Sequence, residues 1–460
     1  MTRFLQKPIL KTSASRISWA ILGLIFFLLP GASWAEEVDE ASLFSGEEGL
    51  IESEGSLQQN LSNTFEKESV TFSGRVMARG VYHMSREWLY EEGRFDTNQL
   101  SNASEGDFFI DVRLKNGVKG YVNVAIETIA QEPQPFLGAG VETESESESP
   151  RETEAWGSDT EERVKEFFID ANAGRKAYFR IGKQVLKWGR TYFWNPTDFI
   201  NIEKREFLDM NRYREGVYGA RLHVPFGSQQ NLYLFTNFSS ANNMDGVAMA
   251  GKYEFLIRNT ELAFSAWHKS RTGNAVGFDF STTLLGIYVN SETSFHHQDE
   301  SVSIEGEGDH AALRKEKNKD AWRMSLGLTK TFDYELSDRI TFTYECFYNG
   351  GGYEENLFND AAATALLLLN DLYEPNHHGV YYSALFGSIN KYPIPDMILN
   401  LNILSNMDDG SFVIVPGFSY EPVDHFIVSF NLDIFAGPEN AEYTFLNTGV
   451  ACDLSLEILF

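Results

Sequence analysis

The sequence contains only two cysteines, Cys346 and Cys452, and has 38 basic residues against 66 acidic ones. Two cysteines are too few for a disulfide-rich scaffold or for a cysteine-based metal cluster. Each lies on the apolar face of an alternating segment, beside Tyr344 and Leu454 respectively, so we expect small apolar side chains rather than a disulfide. The formal net charge of −28 argues against a nucleic-acid partner, because nucleic-acid binding depends on basic surfaces.

Long hydrophobic runs are also missing beyond the N-terminal region. The longest later run, Ala361 to Leu369, is far below the ~20 residues that a spanning helix needs. The N-terminal run Ile17 to Leu29 follows four basic residues and precedes small residues at Ser33 and Ala35. This pattern predicts a signal peptide over residues 1–35, cleaved before Glu36, rather than a retained membrane anchor.

The acidity is concentrated in two low-complexity stretches. Residues 36–69 hold ten acids and one lysine, and residues 141–162 hold nine acids and one arginine. We therefore interpret residues 36–70 as an acidic, disordered lead-in on the periplasmic side. The second stretch we expect to be a solvated loop.

The end of the chain alternates with a period of two. Apolar residues occupy every second position from Val450 to Phe460, and the positions between them include Asp453 and Glu457. A strand with one apolar and one polar face that ends on an aromatic residue is typical of the closing strand of an outer-membrane barrel. We therefore predict that Phe460 acts as the assembly signal read by the barrel-assembly machinery.

The same alternation recurs from residue 71 onward and predicts an all-β fold, a single transmembrane antiparallel β-barrel over residues 71–460. A soluble sandwich or propeller would leave the signal peptide and the terminal Phe460 unexplained. Connections alternate between short and long, as expected for short periplasmic turns and long outer loops. The short ones are Asn116-Gly117, Gly174-Arg175, 225–229, Asn259 and 421–424, and the long ones are 86–105, 130–162, 188–215, 297–319 and 349–377.

The strand count depends on parity. Both chain ends must be periplasmic, so the number of strands must be even, and a turn near Ser281 to Thr283 gives about eighteen strands. Sixteen strands remain an alternative. With either count we expect the chain to lie in the cell outer membrane, in contact with lipid and lipopolysaccharide.

Charged residues dominate the predicted inner face of the early strands. They are arginines and carboxylates: Arg75, Arg79, Arg113, Arg180, Arg221, Asp111, Glu127, Glu166 and Asp170. One interpretation is a charged path for an anionic or polyhydroxyl solute. The other is a wall of ion pairs that stiffens the barrel, and both can hold together.

An aromatic loop follows the strand that contains Arg180. Its candidate residues are Trp188, Trp194, Asn195 and Asp198, with turn formers at Asn195-Pro196-Thr197-Asp198. The aromatic side chains fit an interfacial belt or a stacking platform for sugars, and the belt is the commoner arrangement.

The stretches Arg180-Ile181-Gly182-Lys183-Gln184, Trp188-Gly189, Asn195-Pro196-Thr197-Asp198 and Tyr348 to Tyr353 resemble the porin-like outer-membrane families that include the alginate-export type of barrel. That resemblance implies eighteen strands and a pore lined by arginine and lysine for a polyuronate. The acidic residues among the arginines and the acidic loop at 142–162 would repel such a polyanion.

The function we expect is passive passage of small or polymeric hydrophilic solutes through an outer-membrane channel. The alternative is a non-transport barrel that acts as an adhesin or a structural surface protein. Histidines at 296, 297, 377, 378 and 425 accompany no nucleophile, phosphate-loop or metal-binding motif, so we expect no enzyme and no cofactor. Residues 356–373 could form a short helix that either constricts the pore or packs on the barrel rim.

Overall fold

The computed structural model describes residues 69–86, 99–114, 117–131, 157–186, 188–201, 206–208, 213–239, 246–306, 308–334 and 338–460. The predicted signal peptide and nearly all of the acidic lead-in lie outside these residues, as does most of the acidic stretch at 141–162. The described residues form eighteen strands and one α-helix, α1 (Ala361–Leu369).

Nine strands make up the first half of the chain: β1 (Ser69–Ser85), β2 (Gln99–Leu114), β3 (Val118–Gln131), β4 (Gly157–Ala173), β5 (Ala177–Gln184), β6 (Val217–Phe226), β7 (Gln230–Asn237), β8 (Ala248–Ile257) and β9 (Thr260–Lys269). The second half contains β10 (Gly273–Leu284), β11 (Ile287–Glu305), β12 (Ala312–Asp333), β13 (Arg339–Asn349), β14 (Tyr381–Asn390), β15 (Met397–Asn406), β16 (Phe412–Val423), β17 (Phe426–Ala436) and β18 (Thr448–Leu459).

Every strand pairs antiparallel with its neighbours in sequence, and β18 pairs with β1, so the sheet is closed. The predicted antiparallel barrel of eighteen strands is therefore confirmed, and the sixteen-strand alternative is wrong. The first strand begins at Ser69, two residues before the predicted barrel boundary.

The seam between the two chain ends is complete to the last residue. Arg75 lies opposite Leu459, and Gly74 and Phe460 exchange two backbone hydrogen bonds of 2.8 and 3.0 Å. A Cβ atom on Gly74 would lie 2.4 Å from the Phe460 ring, so the close approach requires glycine at this position. The start of β1 and the end of β18 therefore lie at the same opening of the barrel, the one that carries the short turns.

The outer surface carries an apolar face because alternate side chains point away from the interior. Val76, Phe108, Phe167, Leu454 and Ile458 are among the exposed large apolar residues. Within the part of the chain that is described, the one helix is too short to cross a bilayer. Cys346 and Cys452 both lie on the outward face and are free thiols, as expected.

The short turns lie where the sequence predicts them, with one correction. The turn between β10 and β11 falls at Leu285-Gly286 rather than at Ser281 to Thr283, and both residues have positive φ, of 55° and 70°. Ser281 to Thr283 pair with Asn290, Val289 and Tyr288 inside the β10–β11 ladder. A leucine in a left-handed turn carries no sequence signal, because glycine, asparagine and aspartate normally occupy such positions.

Three of the predicted long loops are shorter than expected, because the strands extend further than the apolar alternation predicts. The ladder of β11 and β12 extends to Glu305 and Ala312, so most of 297–319 is strand rather than loop. β2 begins at Gln99, and β4 begins at Gly157 rather than after 162. Charged residues are frequent in the extensions of β4, β11 and β12, and the alternation of apolar residues that identifies a membrane strand is lost there.

Candidate functional site

The nine charged residues predicted to face the interior lie on the inner positions of β1 to β6. Arg180, for example, lies between the exposed side chains of Phe179 and Ile181. Their role in lining a solute path stays a prediction. The ion pairs that these residues form show which strands and loops they connect.

Arg75 is the centre of a buried ion cluster. Its guanidinium donates to Asp107 at 2.7 and 3.1 Å and to Glu105 at 2.9 Å. Lys165 pairs with the same two carboxylates, at 3.1 Å from Asp107. The ring of Tyr213 covers Arg75 at 4.4 Å. Because these charges are compensated and buried, Arg75 holds the wall and the loop that contains Tyr213 together.

Lys165 was missed at the sequence level because β4 contains a bulge. The register against β3 shifts between Asn123 and Val124, so that Lys165 and Glu166 are both buried while Val164 and Phe167 are both exposed. A β-bulge places two consecutive residues opposite one residue of the partner strand. Two adjacent charged residues between two apolar ones are the signal that could have identified this bulge.

Four further arginines of the inner wall also pair with carboxylates. Arg180 forms a bidentate contact with Asp170 at 2.6 and 2.8 Å and lies 3.7 Å above the Phe168 ring. The further pairs are Arg79–Asp453 at 2.8 Å, Arg113–Asp111 at 3.3 Å, Lys119–Asp111 at 3.0 Å and Arg163–Glu127 at 3.9 Å. Arg221 lies directly opposite Arg180 in the β5–β6 ladder. The wall therefore contains the ion pairs that the second interpretation expects.

The segment between β5 and β6, here called the inner loop, folds into the barrel over its described residues 185–186, 188–201, 206–208 and 213–216. Its first attachment is Glu292 of β11, which is fully buried. One carboxylate oxygen accepts the backbone N–H groups of Arg190 and Thr191, and the other accepts the N–H and hydroxyl of Thr197 at 2.9 and 2.7 Å. The Thr191 hydroxyl also donates to this carboxylate, at 2.8 Å. These five hydrogen bonds stabilise the buried negative charge without a cation.

A second buried carboxylate, Glu345 of β13, holds the next three residues of the inner loop. Its Oε2 accepts the N–H groups of Tyr192 and Phe193 at 2.8 and 3.1 Å, and its Oε1 accepts that of Trp194 at 2.6 Å. Glu345 is fully buried. The loop backbone is thus fixed against β11 and β13 from residue 190 to residue 197.

Glycine at position 189 lets the loop approach Glu292. A Cβ atom there would lie 2.6 Å from Oε1 of Glu292 and 2.3 Å from Oδ1 of Asn195. Distances below 3.0 Å require a neighbour to move, so Gly189 is a requirement of this loop conformation.

Arg190 attaches the inner loop to the neighbouring part of the wall, β8 to β10. Its guanidinium contacts Asp279 of β10 and Glu261 of β9, and lies 3.2 Å from Glu254 of β8. Lys252 adds a second cation, 2.8 Å from Glu254 and 2.6 Å from the carbonyl oxygen of Trp188. Three carboxylates therefore surround two cations at this end of the loop.

The prediction of an interfacial belt for Trp188 and Trp194 is wrong. Trp188 is 3% exposed and Trp194 is fully buried. Trp188 packs in a cluster with Val217 and Phe235, and Trp194 stacks on Phe347 with ring centroids 5.4 Å apart. Aromatic side chains suit a membrane interface and a packed lumen equally well, so composition alone could not separate the two.

Asn195 and Asp198 shape the turn of the inner loop, as their residue types predict. Asp198 donates its N–H to the carbonyl oxygen of Asn195 at 3.0 Å, and its carboxylate accepts the N–H of Asn201 at 3.2 Å and the side-chain amide of Asn201 at 2.7 Å. The Asn195 amide donates to the carbonyl oxygen of Phe193 at 3.1 Å. Arg214 lies 3.8 Å from the Asp198 carboxylate.

Asn376, in the loop between β13 and β14, joins the inner loop to the loops on the long-loop side, and sequence reasoning missed it. Its carbonyl oxygen accepts the indole N–H of Trp194 at 3.0 Å, and its N–H donates to Glu442 at 2.9 Å. Tyr382 and Asn406 each donate to the same Glu442 carboxylate at 2.7 Å. Burial raises the pKa of the Glu442 carboxyl to about 7.

His378 lies two residues beyond Asn376, inside an aromatic cluster. The nearest rings are those of Phe358 at 4.8 Å and Tyr353 at 5.0 Å. Neither ring nitrogen has a hydrogen-bond partner in the described part of the chain. Burial lowers the pKa of the His378 imidazole to about 4.

Helix α1 lies on the rim of the barrel. Ala363 and Leu367 pack in a cluster with Ile304 of β11 and Leu357, and Asp360 caps the helix by accepting the N–H groups of Ala362 and Ala363 at 2.9 and 3.3 Å. Of the two positions considered for residues 356–373, the helix takes the one on the rim.

Among the described residues there is no group of three or more His, Cys, Asp or Glu side chains that could hold a metal ion. Glu292 and Glu345 are occupied by donors of the inner loop, and Asp279 and Glu254 by cations. Ser294 lies 3.0 Å from the His296 imidazole. The arrangement is suited to restricting passage through the barrel.

The solved structures that are similar to this chain in fold include two porins. A BenF-like porin from Pseudomonas fluorescens Pf-5 superposes with a TM-score of 0.51 at 8% identity, over 85% of this chain and 98% of that one. Pseudomonas aeruginosa OccK8 (OprE) superposes with a TM-score of 0.50 at 9% identity, over 85% and 98%. No family model matches the sequence, and no curated protein matches it. At these identities the similarity shows a porin-like barrel fold.

Proposed function

We propose that this protein is a passive outer-membrane channel for hydrophilic solutes, with the inner loop as its constriction. The observation that carries the proposal is the attachment of that loop by Glu292 and Glu345 inside a barrel of eighteen strands. Barrels of sixteen to eighteen strands are wide enough for an aqueous channel. A loop held across such a lumen narrows the channel without blocking it.

The apolar outer face and the fold shared with porins support an outer-membrane location, with lipid and lipopolysaccharide as partners. Phe460 is proposed as the contact for the barrel-assembly machinery. An adhesin is not favoured, because the longest loop of the first half of the chain folds inward rather than toward the surroundings.

The class of solute is a finer proposal. The interior carries paired charges of both signs, so we propose small hydrophilic solutes rather than a strongly anionic polymer. The resemblance to the alginate-export type stays a prediction. It requires arginines free to meet a polyuronate, and Arg75, Arg79 and Arg180 are all engaged with carboxylates.

Purified protein in a planar lipid bilayer tests the proposal. We expect stepwise conductance increases, with a substate pattern that changes in Glu345→Gln, in which the loop attachment is weakened. Absence of conductance at every voltage, from protein that shows heat-modifiable migration and hence a folded barrel, would contradict the channel function.

A further inference from the structure

Arg323 differs in its partners from five other arginines of the described interior. Arg323 of β12 is partly buried, and its Nε donates to Oδ1 of Asn349 at 3.1 Å. No carboxylate oxygen of a described residue lies within 4.0 Å of its guanidinium, whereas the arginines at 75, 79, 113, 180 and 190 all have one. Glu374, the acid that acts on Arg323 electrostatically, lies 3.9 Å from His377 instead.

Arg323 opens onto a cavity of about 170 Å³ between the inner loop and the wall from β9 to β13. A cavity needs only about 10–15 Å³ of this kind of volume to hold one water molecule, so this cavity has room for a small ion or a short-chain solute. Its lining combines polar and aromatic side chains, among them Asn195, Asn201, His296, His377, Trp267 and Phe347. The wall residues that line it belong to the ends of strands nearest the long loops.

The one carboxylate in the cavity lining is Asp198, and its charge is already engaged. Its two oxygens accept the N–H and the side-chain amide of Asn201, and Arg214 lies 3.8 Å away. Arg323 is therefore the charged side chain of this lining that has no carboxylate oxygen within 4.0 Å, and a solute in the cavity would meet its positive charge. A guanidinium with amide and imidazole neighbours matches the oxygens of an oxyanion, to which it can donate two parallel hydrogen bonds.

We propose that this cavity binds the oxyanion group of a small solute, held by Arg323, before the solute passes the inner loop. The proposal rests on the proposed channel function for its role in transport, but the binding itself does not depend on conductance. The shared chemistry is a compact oxyanion, which phosphate and a short carboxylate both provide.

Binding can be measured on the purified, folded full chain in detergent by isothermal titration calorimetry, at constant ionic strength. Inorganic phosphate and propionate are the two probes, and chloride is the reference for nonspecific charge effects. We expect saturable binding of at least one oxyanion, and the comparison of the two probes identifies the preferred class. Chloride is expected to give no saturable signal.

Arg323→Gln is expected to raise the dissociation constant at least tenfold, and Arg323→Lys, which keeps the charge without the planar fork, to raise it less. Arg339→Gln removes the same charge at the short-turn side, where Arg339 pairs with Asp333 at 3.1 Å, and is expected to leave it unchanged. Heat-modifiable migration verifies folding of each variant.

The proposal is overturned if wild-type protein shows no saturable binding of either probe, or if a folded Arg323→Gln binds as tightly as wild type. A wild-type protein that binds an oxyanion but never conducts would instead overturn the channel function and retain the site.

Discussion

The N–H of Trp194 donates a 2.6 Å hydrogen bond to Oε1 of Glu345, and both residues are fully buried inside the barrel. A loop residue and a wall residue 151 positions later in the sequence are thereby fixed in one place. This contact determines where the inner loop crosses the lumen, because the adjacent N–H groups of Tyr192 and Phe193 bind the same carboxylate.

Glu345→Gln is expected to loosen the inner loop. The amide keeps one accepting oxygen but replaces the other with an N–H₂ group facing backbone donors, so at least one buried donor loses its partner, at about 1–3 kcal/mol. Single-channel recordings should show larger or more variable conductance than wild type. Glu355→Gln, at an exposed position of a long loop, is the matched control, and identical recordings from both variants would contradict a role for Glu345.

Gly189→Ala is expected to displace the inner loop, because the new Cβ would lie 2.6 Å from Glu292. The melting temperature should fall, and the conductance should change in the same direction as in Glu345→Gln. Gly120→Ala is the control, since the nearest atom to its Cβ, on Val112, is 4.0 Å away. Unchanged melting in Gly189→Ala would show that the loop accommodates a side chain there.

Replacing Arg180 and Arg221 by alanine tests whether the inner wall is part of the ion path. Removing Arg180 leaves the Asp170 carboxylate without its bidentate partner, so the local potential becomes more negative. The reversal potential in a salt gradient should shift toward cation preference. Arg339→Ala provides the control at the short-turn side. An unshifted reversal potential in the double variant would show that both arginines have only a structural role in the wall.

Two groups in the loops around Asn376 should respond to pH with opposite signs. The pKa of Glu442 is raised from 4.5 to about 7, so its contribution to stability is fully present below pH 4.5 and is lost as pH rises through 7. The pKa of His378 is lowered from 6.5 to about 4, so its contribution is fully present above pH 6.5 and is lost as pH falls through 4. Because the two contributions to the free energy of unfolding change in opposite directions with pH, they should largely cancel in the wild type.

Limited proteolysis of residues 350–380, normalised to an unstructured peptide with the same cleavage sites, can separate the two groups. Glu442→Gln should leave only the His378 effect, so that cleavage accelerates on acidification from pH 6.5 to 4. His378→Phe should leave only the Glu442 effect, with cleavage accelerating from pH 4.5 to 7. Identical pH profiles in the two variants would refute this assignment.

Deleting Phe460 is expected to lower the yield of heat-modifiable barrel in the outer membrane. The deletion removes two backbone hydrogen bonds to Gly74 and the ring contact with Phe108 at 6.3 Å. Phe460→Tyr keeps both the backbone and an aromatic ring and should assemble close to wild type. Normal assembly of the deletion would mean that the last residue carries little of the assembly signal.

The barrel could be predicted from the sequence because alternation extends over nearly every strand, and because parity excludes an odd count. The turn at Leu285-Gly286 was misplaced by a few residues, since leucine seldom adopts positive φ. Long charged ladders such as β11–β12 above the membrane lose the apolar face, so they were interpreted as loops.

The candidate site could be predicted only in part. Trp188, Trp194, Asn195 and Asp198 were identified as members of one functional loop, but their location inside the barrel was not. The two carboxylates that hold the loop, Glu292 and Glu345, are 101 and 151 residues from their partners at Thr191 and Trp194. No local pattern in a single sequence encodes a contact between a backbone N–H group and so distant a side chain.

The seam between β1 and β18 has a consequence for how the chain can be divided. Arg79 and Asp453 form an ion pair across it although they are 374 residues apart. Without β18, β1 loses one of its two neighbouring strands, and the converse holds for β18. Truncation from either end would expose two unpaired strand edges within the bilayer, where backbone groups find no water. No shorter contiguous piece of this barrel can therefore satisfy the backbone hydrogen bonds of its edge strands in a membrane.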